Sequence, residues 1–223
     1  MNYRTFESLV PRLNPSVPGC PYQTMVIYIR NAAIAVCEQT LAWRFSQPKF
    51  NLVAGKPEYD FNRPVDADVH AVLMASCNDL LLEVMTFDHA KDRYPMWADQ
   101  YTTAADIEEY GSTPIAITQV NLSKYLILPT PDATETYSVR MIYALKPSRQ
   151  SNDMDEDVFN DLEEVIFHGA LQHLLVLPQV AWSDRELASY HAKQYRSQLT
   201  ERRARANLGN ARGSMSVNFP RFA

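Results

Sequence analysis

Glycine is scarce. Only six occur in 223 residues, at 19, 55, 111, 169, 209 and 213, and no two have the spacing of a dinucleotide fingerprint or a phosphate-binding loop. That excludes nucleotide chemistry of the glycine-loop kind. Cysteine is also sparse: Cys20, Cys37 and Cys77 are odd in number and far apart, which excludes a disulfide framework or a CxxC zinc site and suits reduced, buried thiols. No run approaches the roughly 18 apolar residues of a membrane span, because charge or proline interrupts the richest stretches. Met1 to Val10 mixes Arg4 and Glu7 with polar residues and lacks the apolar stretch of a secretion signal, so synthesis in the cytoplasm is expected. There is no GxSxG elbow and no cysteine in a recognisable catalytic setting.

What the chain does have is enough apolar material for a core: 46% hydrophobic and 21% charged residues, with a net charge of -5. Three zones follow one another, helical, strand-like and helical again. After a proline-rich entry (Pro15, Pro18, Pro21), residues 22–44 contain neither Gly nor Pro. Val26, Ile29, Ala33, Val36 and Thr40 recur there at three- and four-residue steps, predicting a helix that Leu41 and Trp43 close.

From Phe50 the period becomes two. FNLVAGKPEYDF predicts a hairpin about Gly55-Lys56-Pro57, and residues 69–76 and 80–86 predict another about Cys77-Asn78-Asp79. In the latter, Leu80, Leu82 and Val84 should share an apolar face opposite Leu81, Glu83 and Met85. Thr86 is positioned to cap a short helix, FDHAKDRYPMW, that Pro95 ends. Strands resume at Ile115–Val120, Tyr125–Leu128 and Thr136–Leu145, the last alternating Tyr137, Val139, Met141, Tyr143 and Leu145 inward. Six or seven short strands joined by turns point to an antiparallel sandwich.

The acidic stretch SNDMDED then leads into a helix over 157–177 with Phe159, Leu162, Ile166, Ala170 and Leu174 as its stripe, stopped by Pro178. Ser183 and Glu186 form a capping-box pattern opening a last helix to about Leu208, which Gly209 ends. The tail from Asn210 has no helical stripe, and alone it should be disordered.

Charge is polarised along the chain. From His191 onward there are seven Lys and Arg against Glu201, a net of +6, leaving -11 on the rest. The arginines at 202, 203 and 205 admit three readings: a solvated helix end, a contact to DNA phosphates, or a protein-docking arm. The tail favours docking, because Val217, Phe219 and Phe222 alternate with arginines around Pro220, a composition suited to an extended peptide anchoring aromatics in a partner's pockets.

Catalytic and metal chemistry find less support. His168 and His173 are five apart and face different ways, and Glu164 with His168 is a single i, i+4 pair. Asp66, Asp68 and His70 alternate as on a solvated strand edge. Glu108-Glu109 and Glu163-Glu164 are adjacent, so their carboxylates diverge. No catalytic residue, metal or cofactor is expected.

Four segments together resemble the head-to-tail adaptor (connector) proteins of tailed bacteriophages, the tail tubular protein A type. They are LAWRF with the following FNLVAGKPEYDF; LILPTPDATETYSVRMIYALKPSR; GALQHLLVLPQVAWSDRELASYHAKQYRSQL; and the basic RRARANLG end with its tail. The resemblance implies an α+β fold, with a helical bundle from 1–46 and 152–208, an inserted antiparallel β-sandwich over 47–151 and an extended C-terminal arm over 209–223. It also implies a non-enzymatic virion protein at the head–tail junction, a self-associated, usually dodecameric ring between the portal protein and the tail or nozzle protein. Double-stranded DNA would pass through its lumen, with no membrane involved. Arg202, Arg203, Arg205, Arg212, Phe219, Arg221 and Phe222 become the expected portal-binding residues. The alternative is a DNA-binding packaging factor that uses the Arg-rich final helix; a metal-dependent hydrolase is the third option.

Overall fold

A computed structural model describes residues 2–94, 113–133 and 135–208. The expectations for Pro95, Glu108-Glu109, Gly209 and the tail, including Arg212, Phe219, Arg221 and Phe222, lie outside the described residues. The fold is α+β. Its helical part consists of α1 (Val10–Leu13), α2 (Tyr22–Thr40), α4 (Glu156–Leu174) and α5 (Arg185–Leu208), and a short α3 (Phe87–Arg93) sits beside the sheet.

The apolar stripes read from the sequence are the buried ones. Val26, Ile29, Ala33, Val36 and Thr40 of α2 and Phe159, Leu162, Ile166, Ala170 and Leu174 of α4 are all in the core. α2 ends earlier than the sequence indicates. Leu41 takes a left-handed conformation (φ 53°) with its N–H on the Cys37 carbonyl at 2.9 Å, and the Thr40 hydroxyl donates to the Val36 carbonyl at 2.8 Å. The turn frees Ala42 and Trp43 to lead into a strand. α4 packs against both α2 and α5, and the three helices converge at Gly169. A Cβ there would lie 3.0 Å from the Tyr195 ring and 3.2 Å from the Ala32 methyl, so glycine sets how closely the helices approach.

The strands are β1 (Tyr3–Thr5), β2 (Arg44–Asn51), β3 (Glu58–Asp60), β4 (Ala67–Cys77), β5 (Leu80–Met85), β6 (Ala116–Gln119), β7 (Lys124–Leu128), β8 (Ser138–Pro147) and β9 (Asp153–Asp155). β1 and β9 form a small ladder of their own; the other seven form one sheet in the order β2-β8-β4-β5-β6-β7-β3. The sheet curls over on itself. Phe61, just after β3, lies 5.2 Å from the Tyr143 ring of β8 and 4.7 Å from Tyr125 of β7, so opposite leaves share one aromatic core. The outer face of β8 meets α2, with Lys146 donating to Glu38 at 2.6 Å, and the hydrophobic core runs continuously from the helices into the sheet.

Two local readings are corrected by this topology. Gly55-Lys56-Pro57 is not a hairpin turn, because β2 pairs with β8 and β3 with β7. It is a corner between leaves, held where the Tyr59 hydroxyl meets the Val53 backbone N–H at 3.0 Å. The β4–β5 hairpin about Asn78-Asp79 forms as read, both turn residues at positive φ. Its expected apolar face does not form: Leu82 and Met85 are buried while Leu80 is 71% and Leu81 73% exposed. β5 leaves β4 after Leu82 and pairs in parallel with β6 from Glu83, so its alternation is interrupted where it changes leaf. Asp66 precedes β4, and Asp68 and His70 lie at its start, where the strand has a ladder with β8 alone because β5 pairs only with Ala75–Cys77; this end of β4 is the partly exposed edge the alternation indicated. Asp68 accepts from Arg63 at 2.8 Å.

Candidate docking surface

The C-terminal helix carries Arg202, Arg203 and Arg205 of the predicted site, and two contacts fix its start. Asp184, not Ser183, is the cap: its carboxylate accepts from the Leu187 N–H at 2.9 Å. Ser183 turns back and donates to the Leu175 carbonyl at 3.1 Å, serving one of the orphan acceptors that α4 leaves at its end. At the far end of α5, Arg44 donates to the Ala206 carbonyl at 2.7 Å.

The structure separates the three described arginines of the predicted site. Arg202 turns inward along α4 and ion-pairs with Asp161, and Arg205 approaches the same carboxylate at 3.7 Å. Arg203 is exposed. The Asp161 carboxylate is itself half exposed, so these pairs contribute about 0–1 kcal/mol.

Sequence reading missed two clusters on the same helices. The first is a buried histidine pair. His168 of α4 meets His191 of α5, Nδ1 to Nδ1 at 2.7 Å, with the Phe167 ring edge-on to both. His173, by contrast, is exposed. The contact requires one ring to donate its Nδ1–H and the other to accept, so the neutral pair in opposite tautomers fits. Burial lowers both pKa values below the ordinary range. Arg12 adds to that at His168 against Glu164, and His168 adds to it at His191. The available sequence signal was the placement of His191 between Ala188 and Tyr195 on the buried stripe of α5.

The second cluster is an N-terminal clamp. Arg4 and Arg12 reach Glu163 at 3.0 and 3.4 Å, Arg12 reaches Glu164 at 2.6 Å, and their guanidinium groups lie over the Phe159 and Phe167 rings. The adjacent glutamates therefore anchor the chain start, Glu163 from a half-buried position and Glu164 from the exposed face.

Because the folded state disfavours protonating the histidine pair, the unfolded chain takes up more protons as pH falls. Stability present above the ordinary histidine value of ~6.5 should be lost below it. The melting temperature is expected to fall between about pH 7.5 and pH 5. Replacing both residues, in His168→Leu with His191→Leu, should flatten that slope, since no buried polar group is then left unpaired. An unchanged slope in the double variant would remove the pair from the account.

Chemistry at these groups is muted. The three thiols are buried, with burial and the nearby Glu38 carboxylate pushing Cys37 up to about 12. Among the described residues, no group of three or more His, Cys, Asp or Glu side chains is gathered to hold a metal, and no helix is long and apolar enough to cross a membrane.

The fold is thus a helical layer on a curled sheet, its last helix carrying cations beside a weakly held counter-charge. The SU10 adaptor protein family model matches residues 1–217, and the chain belongs to that family of bacteriophage structural adaptors. No curated protein matches the sequence.

Proposed function

We propose that this chain is a head-to-tail adaptor of the tail tubular protein A kind. Copies assemble as a ring, usually dodecameric, between the portal protein and the tail or nozzle protein, and the ring forms part of the conduit for the genome. The helical part (1–46 and 152–208) faces the portal, and the sheet inserted over 47–151 extends away from it. Residues 209–223 are the docking arm: Arg202, Arg203, Arg205, Arg212 and Arg221 position it and Phe219 and Phe222 anchor it.

The observation that carries this reading is the family match across 1–217, which spans the helices, the sheet and the start of the arm together. The reading as a DNA-binding packaging factor is weakened by the -11 charge of the rest of the chain. Capture of the purified chain by immobilised portal protein tests the proposal. Binding without DNA supports it; no binding to portal, with salt-sensitive binding to a short duplex, contradicts it.

A further inference from the structure

The cations of α5 sort onto two sides. Arg202 and Arg205 lie against Asp161, while Arg185, Lys193, Arg196 and Arg203 recur at steps of eight, three and seven residues. At 3.6 residues per turn the four fall within about 80° of one another, on one side of the helix, and form a broad ridge roughly 27 Å long at 1.5 Å per residue. All four are exposed. Among the described residues none of the four has a carboxylate within ion-pair distance.

Nothing in the helix itself accounts for this arrangement. A solvated helix face usually places acids three or four residues from its bases; none of these four has Asp or Glu at either spacing. Lys193 and Arg196, three apart, repel each other. Arg185 occupies the first turn, where the helix dipole disfavours a cation. Thr200, between the cations, donates to the Arg196 carbonyl at 2.9 Å, so its hydroxyl is engaged within the helix. The ridge therefore calls for counter-charge from outside the subunit.

The same chain holds that counter-charge in excess. The residues before His191 carry -11. On this body Asp153 is held above the ordinary carboxylate range, chiefly by burial and further by Asp66. We propose that the ridge Arg185, Lys193, Arg196 and Arg203 is the face by which one copy docks against the acidic body of a second copy. This rests on the ring reading above and names the face that makes its contact. The ridge cations and the carboxylates they would meet are different groups, so the contact is heterologous and joins copies head to tail. A duplex on the ridge would instead meet repulsion from the acidic body that carries it.

Lys193 is the only lysine of α5 and serves as the reporter. An equimolar mixture of unlabelled and ¹⁵N-labelled full-length chain is treated with a zero-length carbodiimide cross-linker, alone and on portal protein. The expected products are mixed-isotope peptides joining Lys193 to carboxylates of the other copy. They should disappear at ~1 M NaCl, where the screening length is about 3 Å. They should also disappear in R185E/R196E, which keeps Lys193 and the portal-positioning arginines and alters only exposed side chains, so its melting curve should match the parent's. Lys193 links confined to one copy, or absent in both settings, overturn the proposal. So does a variant that loses binding to a short duplex while inter-copy links persist. Inter-copy links without portal capture would remove the portal reading and leave the ridge; portal capture without links would do the reverse.

Discussion

Met141→Asp should destabilise the protein by about 3–5 kcal/mol, a drop of roughly 10 °C in melting temperature for a chain of this size. Met141 is fully buried on β8, which lies between β2 and β4, and its inward neighbours Val139 and Tyr143 are fully buried too. An aspartate there would face the aromatic core shared by the two leaves. It would either ionise without a partner or take up a proton at a cost of similar size. Thermal denaturation of the variant checks this. A parental melting curve would mean that β8 has the wrong register, since a slip of one residue exchanges Met141 for the solvent-side Arg140.

Deleting residues 209–223 should have the opposite profile, leaving the fold nearly unchanged and reducing portal affinity more than about a hundredfold, or ~2.7 kcal/mol. The core assembled from the described residues runs from Phe6 to Tyr195, with Leu199 packed at its margin, and closes before the deleted segment begins. The segment supplies Arg212, Phe219, Arg221 and Phe222, the residue types that most often carry interface energy. Calorimetric melting together with titration against portal protein separates the two effects. Parental affinity in the truncated chain would remove the arm assignment while leaving the family and fold as they are.

Much of the fold was legible because it is local. The stripes of α2 and α4 and the inward series Tyr137, Val139, Met141, Tyr143 and Leu145 follow from periods of 3.6 and 2, and each of these residues is buried as read. Features that depend on distant partners were not legible. Gly55-Lys56-Pro57 signals a turn, but nothing local indicates that β2 pairs with β8, nearly a hundred residues later in the chain. β5 defeats an alternation rule because it changes neighbours in mid-strand. At the candidate site, the basic end of α5 could be read from composition, whereas Asp161 as the partner of Arg202 required knowing that α4 and α5 lie side by side. The His168–His191 contact was hidden for the same reason, since 23 residues separate two side chains that meet only after the helices pack. Ser183 misled because a capping pattern records which groups can cap, not that the preceding helix end also competes for the hydroxyl.

Electron-microscopic imaging of purified portal protein, alone and after addition of this chain, tests the central claim most directly. The account predicts added density forming a closed ring on one end of the portal, rotationally symmetric and open along the axis for DNA. A portal unchanged by the chain, or the chain recovered only on free DNA, would contradict it.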